Sequence, residues 1–222
     1  MSSLRRYPRK PPRVRKTRRA STPAPLHRDA ADYASLRRER AAATRDSLVT
    51  TAMRIFNEVG YWGTDSNALA RAAGYSPGTF YRHFPDKRAI FLAAYQEWAS
   101  AEHAVLLTRL ERAKASSGDI AGAFVEHMIE YHRRWCMFRA CLRVLSASDP
   151  EISKAVRAHR RRYLDLLADI LGSGDLVDRL VVLYSLDGAA DAVAAGEPRN
   201  FGLNSRDVSA GVRGLFSGAR SR

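Results

Sequence analysis

The chain has 222 residues, 45% hydrophobic and 27% charged, enough to bury one or two ordinary cores. Its net charge of +14 is unevenly spread: 13 of the 37 Lys and Arg but only 3 of the 23 Asp and Glu fall within residues 1–40. So basic an end points to a polyanion, while no apolar run approaches the roughly 18 residues of a membrane-spanning helix.

Residues 1–39 read as a disordered basic arm. Five of the nine prolines (Pro8, Pro11, Pro12, Pro23, Pro25) lie in its first 25 residues, interleaved with arginine, and little there is apolar enough to offset the entropy of ordering. The prolines break the amphipathic helix of a transit peptide, and there is no apolar core of a secretory signal, so neither export nor import into an organelle is expected. Cys136 and Cys141 match neither a disulfide framework nor a zinc spacing, consistent with a reducing cytoplasm.

From about residue 40 the pattern is helical. Leu48, Ala52, Ile55, Phe56 and Val59 form one apolar stripe, and Gly60 ends it. A short helix over 66–73 is expected to bury Leu69, Ala72 and Ala73. Gly74 turns the chain, and Ser76-Pro77 opens a third helix, serine as cap and proline at the first helical position. Beyond Phe84-Pro85-Asp86 a long helix carries Phe91, Tyr95, Trp98 and Val105 on one face. Further helical patterns cover 119–135, 137–147, 150–171, 176–195 and 205–216, separated by Asp149-Pro150, Gly172-Ser173-Gly174 and Gly196-Glu197-Pro198. No stretch alternates with period two long enough to suggest a sheet. The expected fold is all-α, about nine helices, divided into the arm (1–39), a three-helix helix-turn-helix domain (40–86) and a larger helical domain (87–222).

The segment 64–87, TDSNALARAAGYSPGTFYRHFPDK, has two short helices about a glycine turn. Tyr75, Thr79, Tyr81, Arg82 and His83 crowd onto the second with Pro77 and Gly78. Donors, acceptors and flat rings suit phosphate oxygens and base edges better than they suit packing. Gly78 removes bulk where a sugar-phosphate strand could come close.

The run Gly60-Tyr61-x-x-Thr64, Leu69-Ala70-x-x-Ala73-Gly74-Tyr75-Ser76-x-Gly78-Thr79-Phe80-Tyr81-x-His83-Phe84-x-x-Lys87 resembles the signature of the TetR (tetracycline-repressor) family of bacterial transcription regulators. The resemblance covers about residues 41–90. It implies a homodimer whose third helices enter the major groove of a near-palindromic operator about one turn apart, and a C-terminal domain that binds a small effector. Carried over by position, Thr64 would cap the second helix and touch a phosphate. Tyr75, Ser76, Pro77, Gly78, Thr79 and Arg82 would face bases or the groove wall, Tyr81 and His83 would hold phosphates, and Lys87 would add a charged contact. Phe80 and Phe84 read as core. Pro77 stands where many members carry Lys or Arg, so readout there would be apolar.

In the C-terminal domain Phe124, His127, Tyr131 and Trp135 form one stripe; with Phe138, His159 and Tyr163 they are the candidate pocket for a lipophilic or aromatic effector. Small residues at Gly188, Ala189, Ala190, Ala192 and Ala194 suggest a dimer face on the last two helices. Effector binding would act through the fourth helix and Lys87. His127 and His132 stand five apart, off a shared face, and no metal site or cofactor is expected. No phosphate loop, catalytic triad or nucleophile elbow gives an enzyme reading residues to stand on. Two other readings stay open: a low-specificity architectural DNA-binding protein that uses the arm, and a small-molecule sequestering protein with a vestigial reading head.

Overall fold

The computed structural model describes residues 30–116, 118–171 and 175–220. The expected basic arm, apart from residues 30–39, lies outside the described residues, as does the Gly172-Ser173-Gly174 breaker. Two units divide the chain, Met1–Glu39 and Arg40–Arg222.

The helices are α1 (Ala30–Val59), α2 (Ser66–Ala72), α3 (Pro77–His83), α4 (Lys87–Ser116), α5 (Ile120–Arg134), α6 (Cys136–Ser148), α7 (Pro150–Leu171), α8 (Leu176–Ala195) and α9 (Ser205–Arg220), with a 3-10 turn at Glu197–Phe201. No strand occurs among the described residues.

One boundary corrects the sequence reading. Residues 30–39 are helical rather than part of a disordered arm. Ala31 and Ala34 are strong helix formers, and Ser35 Oγ donates to Glu39 at 3.0 Å across one turn. The prolines that argue for disorder all lie upstream.

In the second unit the core falls into two clusters. The first gathers Leu48, Ala52 and Phe56 of α1, Leu69 and Ala70 of α2, Phe80 and Phe84, the start of α4 from Ile90 to Ala99, and Phe138, Cys141 and Leu142 of α6. The second joins Leu106 and Leu110 of α4 to Phe124 and Met128 of α5, Tyr163 and Leu167 of α7, Leu183, Leu186 and Ala190 of α8, and Phe216 of α9. α4 runs through both, so the small N-terminal helices and the larger bundle share one rod. Each fully buried Phe or Leu contributes about 1.5–3 kcal/mol.

Three stripes differ from those expected. Val59 is 51% exposed, because the chain turns at Gly60 (φ 76°) and Tyr61 closes that end by packing on Phe56 and Phe91. On α2 the inward face is Leu69, Ala70 and Ala73, which leaves Ala72 exposed. On α4 the buried line steps by fours after Trp98, through Glu102 to Leu106 and Leu110, and Val105 faces out. A carboxylate at the middle of that line hid it from a hydrophobicity reading.

Candidate nucleic-acid interface and ligand cavity

The turn between α2 and α3 is held by backbone. Gly74 takes φ 80°, where only glycine is unstrained, and Tyr75 N donates to Ala70 O at 2.9 Å. Ser76 caps α3: its Oγ accepts from Thr79 N at 3.2 Å, and Pro77 follows at the first position without sacrificing an intrahelical bond. Phe80 is the only residue of α3 that is buried, clamped by Phe84 at 5.9 Å.

The rest of α3 faces outward. Ser76, Pro77, Gly78, Tyr81 and Arg82 are exposed, and Tyr75, Thr79 and His83 are partly so. Thr79 Oγ1 lies 3.1 Å from Ser76 Oγ and accepts from Arg82 Nη2 at 3.2 Å, so the cap, the hydroxyl and the guanidinium form one row. Nothing inside the chain demands glycine at position 78. A Cβ there would meet only Ser76 Oγ at 3.9 Å, so the space a side chain would fill lies on the outer surface.

Two expected roles change. Asp65, not Thr64, caps α2: its Oδ1 accepts from Ala68 N at 2.8 Å, and that hydrogen bond holds the carboxyl below its ordinary range. Position 65 is the residue directly before the helix, the only place from which a side chain reaches those amides. Lys87, expected as an outward phosphate contact, turns inward. Its Nζ donates to Tyr61 O at 2.9 Å and Thr64 O at 2.8 Å and sits 4.2 Å from the Tyr61 ring centre. It ties the α1–α2 loop to the start of α4, and through Thr64 O it anchors the approach to α2.

The candidate effector residues are dispersed. Phe124 and Tyr163 pack edge to face in the second core cluster, and Phe138 belongs to the first. His127 Nε2 lies 2.7 Å from Glu102 Oε1, and its ring stacks on Tyr131, whose hydroxyl donates to Trp98 O at 3.3 Å. Trp135 edges Trp98. Of these, Phe124, His127, Tyr131, Trp135 and Phe138 are core or core hydrogen bonds rather than pocket wall. Burial pushes the Tyr131 and Tyr163 hydroxyls well above the usual tyrosine value.

Only His159 and Tyr163 of the expected set line a cavity, of about 50 Å³, where α4, α6, α7 and α8 meet. Its other walls include Tyr95, Trp98, Leu142 and Leu183, and at one side Arg139, Arg143, Arg160 and Asp187. Sequence reading missed these because packing alone brings them together from α4, α6, α7 and α8, with Met128 of α5. Burial holds His159 down to about 4, against weaker upward pull from Glu102.

Around the rim runs an ion-pair network. His132, fully buried, places Nδ1 2.9 Å from Asp191 and Nε2 3.4 Å from Asp187. Arg139 reaches both aspartates at 3.3 Å, and Arg143 reaches Asp191 at 2.6 Å. Burial would raise both carboxyls, but the hydrogen bonds from His132 and the arginine charges outweigh it and hold them low. No group of three or more His, Cys, Asp or Glu suited to a metal occurs among the described residues.

The two regions are joined by side chains no sequence pattern marks. Asn57 of α1 straddles the break between α5 and α6: Nδ2 donates to Arg134 O at 2.8 Å, and Oδ1 accepts from Phe138 N at 3.2 Å. Cys141 Sγ accepts from Tyr61 N at 3.1 Å. Arg88 of α4 clasps Asp149, whose Oδ1 also caps the start of α7.

Residues 48–94 match the family described as bacterial regulatory proteins of the tetR family. Over this segment the chain is similar to the TetR family. The TetR match spans the end of α1, α2, α3 and the start of α4, the elements whose geometry is set out above. Among curated proteins, the chain is 34% identical over 73 residues to the HTH-type transcriptional regulator TcmR of Streptomyces glaucescens, covering 33% of this chain and 32% of that protein. It is 29% identical over 92 residues to the HTH-type transcriptional regulator AcrR of Shigella flexneri, 41% of each. The chain thus spans well under half the length of the curated relatives it matches. Among solved structures, a TetR-family transcriptional regulator from Streptomyces coelicolor superposes with TM-score 0.62 at 23% identity, over 81% of this chain and 97% of that one. The fatty acid degradation regulator FadR from Bacillus halodurans superposes with TM-score 0.60 at 18% identity, over 80% and 96%. These likenesses show the fold, an N-terminal helix-turn-helix followed by a helical domain, over about four fifths of the chain.

Proposed function

We propose that this protein is a cytoplasmic, homodimeric DNA-binding transcription regulator, a repressor released from its operator by a small-molecule effector. The observation that carries this reading is α3. It is capped, clamped from below by Phe80, and outwardly lined by Thr79, Tyr81 and Arg82 over a glycine that the fold does not require. A helix of that size and surface suits the major groove, where Arg82 and Thr79 reach base edges while Tyr81 and His83 hold phosphates. The TetR match at residues 48–94 and the named activity of the TcmR and AcrR relatives support the same assignment.

The dimer face is assigned to α8. Val177, Val181 and Tyr184 are each more than half exposed, and a side chain at Gly188 would meet open space, so α8 presents an apolar stripe one copy leaves uncovered. Ala190, expected on that face, is fully buried within its own chain and packs in the second core cluster. Two copies paired through α8 would present two reading helices to a near-palindromic operator.

The deciding experiment is capture and sequencing of genomic fragments by the purified protein, followed by competition with random DNA. A regulator prefers its operator by about a thousandfold or more. A flat ratio would favour the architectural reading, which the +10 charge of residues 1–40 keeps in play. No described helix is long and apolar enough to cross a membrane.

A further inference from the structure

We propose that the cavity between α4, α6, α7 and α8 binds a small organic acid, of about one aromatic ring or a short acyl chain, its carboxylate accepting from the Trp98 indole N–H and the Arg143 and Arg160 guanidiniums and its apolar end against Leu142, Val156 and Leu183. This rests on the effector-responsive reading above and gives the effector a chemical class.

Size sets the first limit. A cavity of about 50 Å³ is about a third of the roughly 150 Å³ that accepts a benzene ring. It seats a small group, and anything larger must displace a wall.

Hydrogen-bonding capacity sets the second. Trp98 is 1% exposed and lines the cavity, yet its indole N–H meets no acceptor among the described residues. Indole only donates, so only an acceptor satisfies it. Three guanidiniums border the same space, each with five donors, against one lining carboxylate. Asp187 is already shared among Arg139 at 3.3 Å, His132 at 3.4 Å and Arg160 at 4.0 Å, distances longer than a strong charge-assisted bond. Glu102 lies behind the wall and is held by His127 at 2.7 Å, with His159 at 3.7 Å. Arg143 is paired with Asp191 at 2.6 Å, so the donors left over are those of Arg160, 4.0 Å from Asp187, and the Trp98 indole. An ammonium cannot satisfy the indole N–H, whereas a carboxylate accepts from it and from Arg160, and competes with Asp191 for Arg143. His132 stays on Asp187 and Asp191 when a ligand draws the arginines away.

The same geometry supplies a route to the DNA-reading end. α6 lends the cavity Arg139, Leu142 and Arg143 on one side. On its other side Phe138 N is held by Asn57, and Cys141 Sγ receives the Tyr61 amide. A ligand that shifts α6 moves the end of α1 and the loop into α2 directly. This route differs from the one through α4 and Lys87 that the sequence suggested.

The test is isothermal titration of the full-length protein with benzoate, hexanoate, benzamide and benzylamine. The acids are expected to bind saturably and at least tenfold more tightly than the amide or the amine. Arg143→Gln/Arg160→Gln should weaken the acids at least tenfold and leave benzamide unchanged. Both side chains are substantially exposed (55% and 41%), so the fold should survive, and the single Arg143→Gln serves as a second variant. Equal binding of benzamide or benzylamine, no saturable binding of either acid, or acid binding untouched by both arginine variants would overturn the proposal. DNA affinity measured separately distinguishes the two readings. An acid that binds while operator affinity stays fixed keeps the ligand class and defeats effector release. Operator preference without acid binding does the reverse.

Discussion

Asn57 accepts the backbone N–H of Phe138 at 3.2 Å, across 81 residues of sequence, while its own amide nitrogen donates to Arg134 O. One side chain at the end of α1 thereby satisfies backbone groups on both sides of the α5–α6 break. Helix ends leave such groups without intrahelical partners, and Asn supplies a donor and an acceptor together.

Asn57→Ala should therefore cost about 1–3 kcal/mol, two neutral hydrogen bonds at about 0.5–1.5 kcal/mol each. Urea unfolding measures the cost. If α6 carries the effector signal, the same variant should also reduce the change in operator affinity that a bound ligand produces. Unaltered coupling would remove α6 from the route.

Tyr81→Ala and Thr79→Ala test the reading helix. Tyr81 is 51% exposed, so its loss should change stability by no more than about 0.5 kcal/mol. Affinity for captured operator fragments should fall tenfold or more, by fluorescence anisotropy. Phe80→Ala is the contrasting control: this fully buried ring should cost about 3–5 kcal/mol of stability. Full operator affinity in Tyr81→Ala and Thr79→Ala would mean that α3 does not contact DNA.

Lys87→Met separates a positioning role from direct contact with DNA. It removes two hydrogen bonds to the carbonyls of Tyr61 and Thr64 and the contact with the Tyr61 ring. The expected signature is a stability loss of about 1–3 kcal/mol with an unchanged slope of log affinity against log salt. A slope reduced by about one unit without loss of stability would restore Lys87 as a phosphate contact.

Val181→Glu should convert the dimer to a monomer in light scattering at micromolar concentration. The side chain is 53% exposed in one copy, so the charge is tolerated until a second copy must cover it. A persistent dimer would move the interface off α8.

Acid should destabilise the protein partly through His159. Burial holds its folded value at about 4 against an ordinary 6.5, so the folded state resists the proton that the unfolded chain accepts. The stability this confers is complete above about pH 6.5 and is lost as pH falls towards 4, by about 3 kcal/mol in all at 1.36 kcal/mol per unit. The Asp187 and Asp191 carboxyls, held below their ordinary value, lose their share only at lower pH. Urea midpoints of wild type and His159→Gln should converge between pH 6.5 and 4. Parallel profiles would exclude the histidine.

Much of this protein was written in local pattern. Apolar periodicity and glycine or proline breakers placed α5 to α9 to within a few residues, because such signals depend only on neighbours in sequence. The outward set on α3 was legible for the same reason: Ser76, Pro77 and Gly78 declare a cap and a start, and Phe80 is the one inward residue. What required the tertiary structure was every function that one side chain serves for a distant segment. Lys87 became an internal tie because its ammonium reaches carbonyls 23 and 26 residues away. The aromatic stripe on α5 proved to be core because α4 and α7 cover it. The cavity lies instead where α4, α6, α7 and α8 leave a gap, lined by residues that packing brings together from separate parts of the chain. Helical spacing tells which residues share a face, but only packing decides what that face meets, and burial, charge pairing and empty space all follow from the latter.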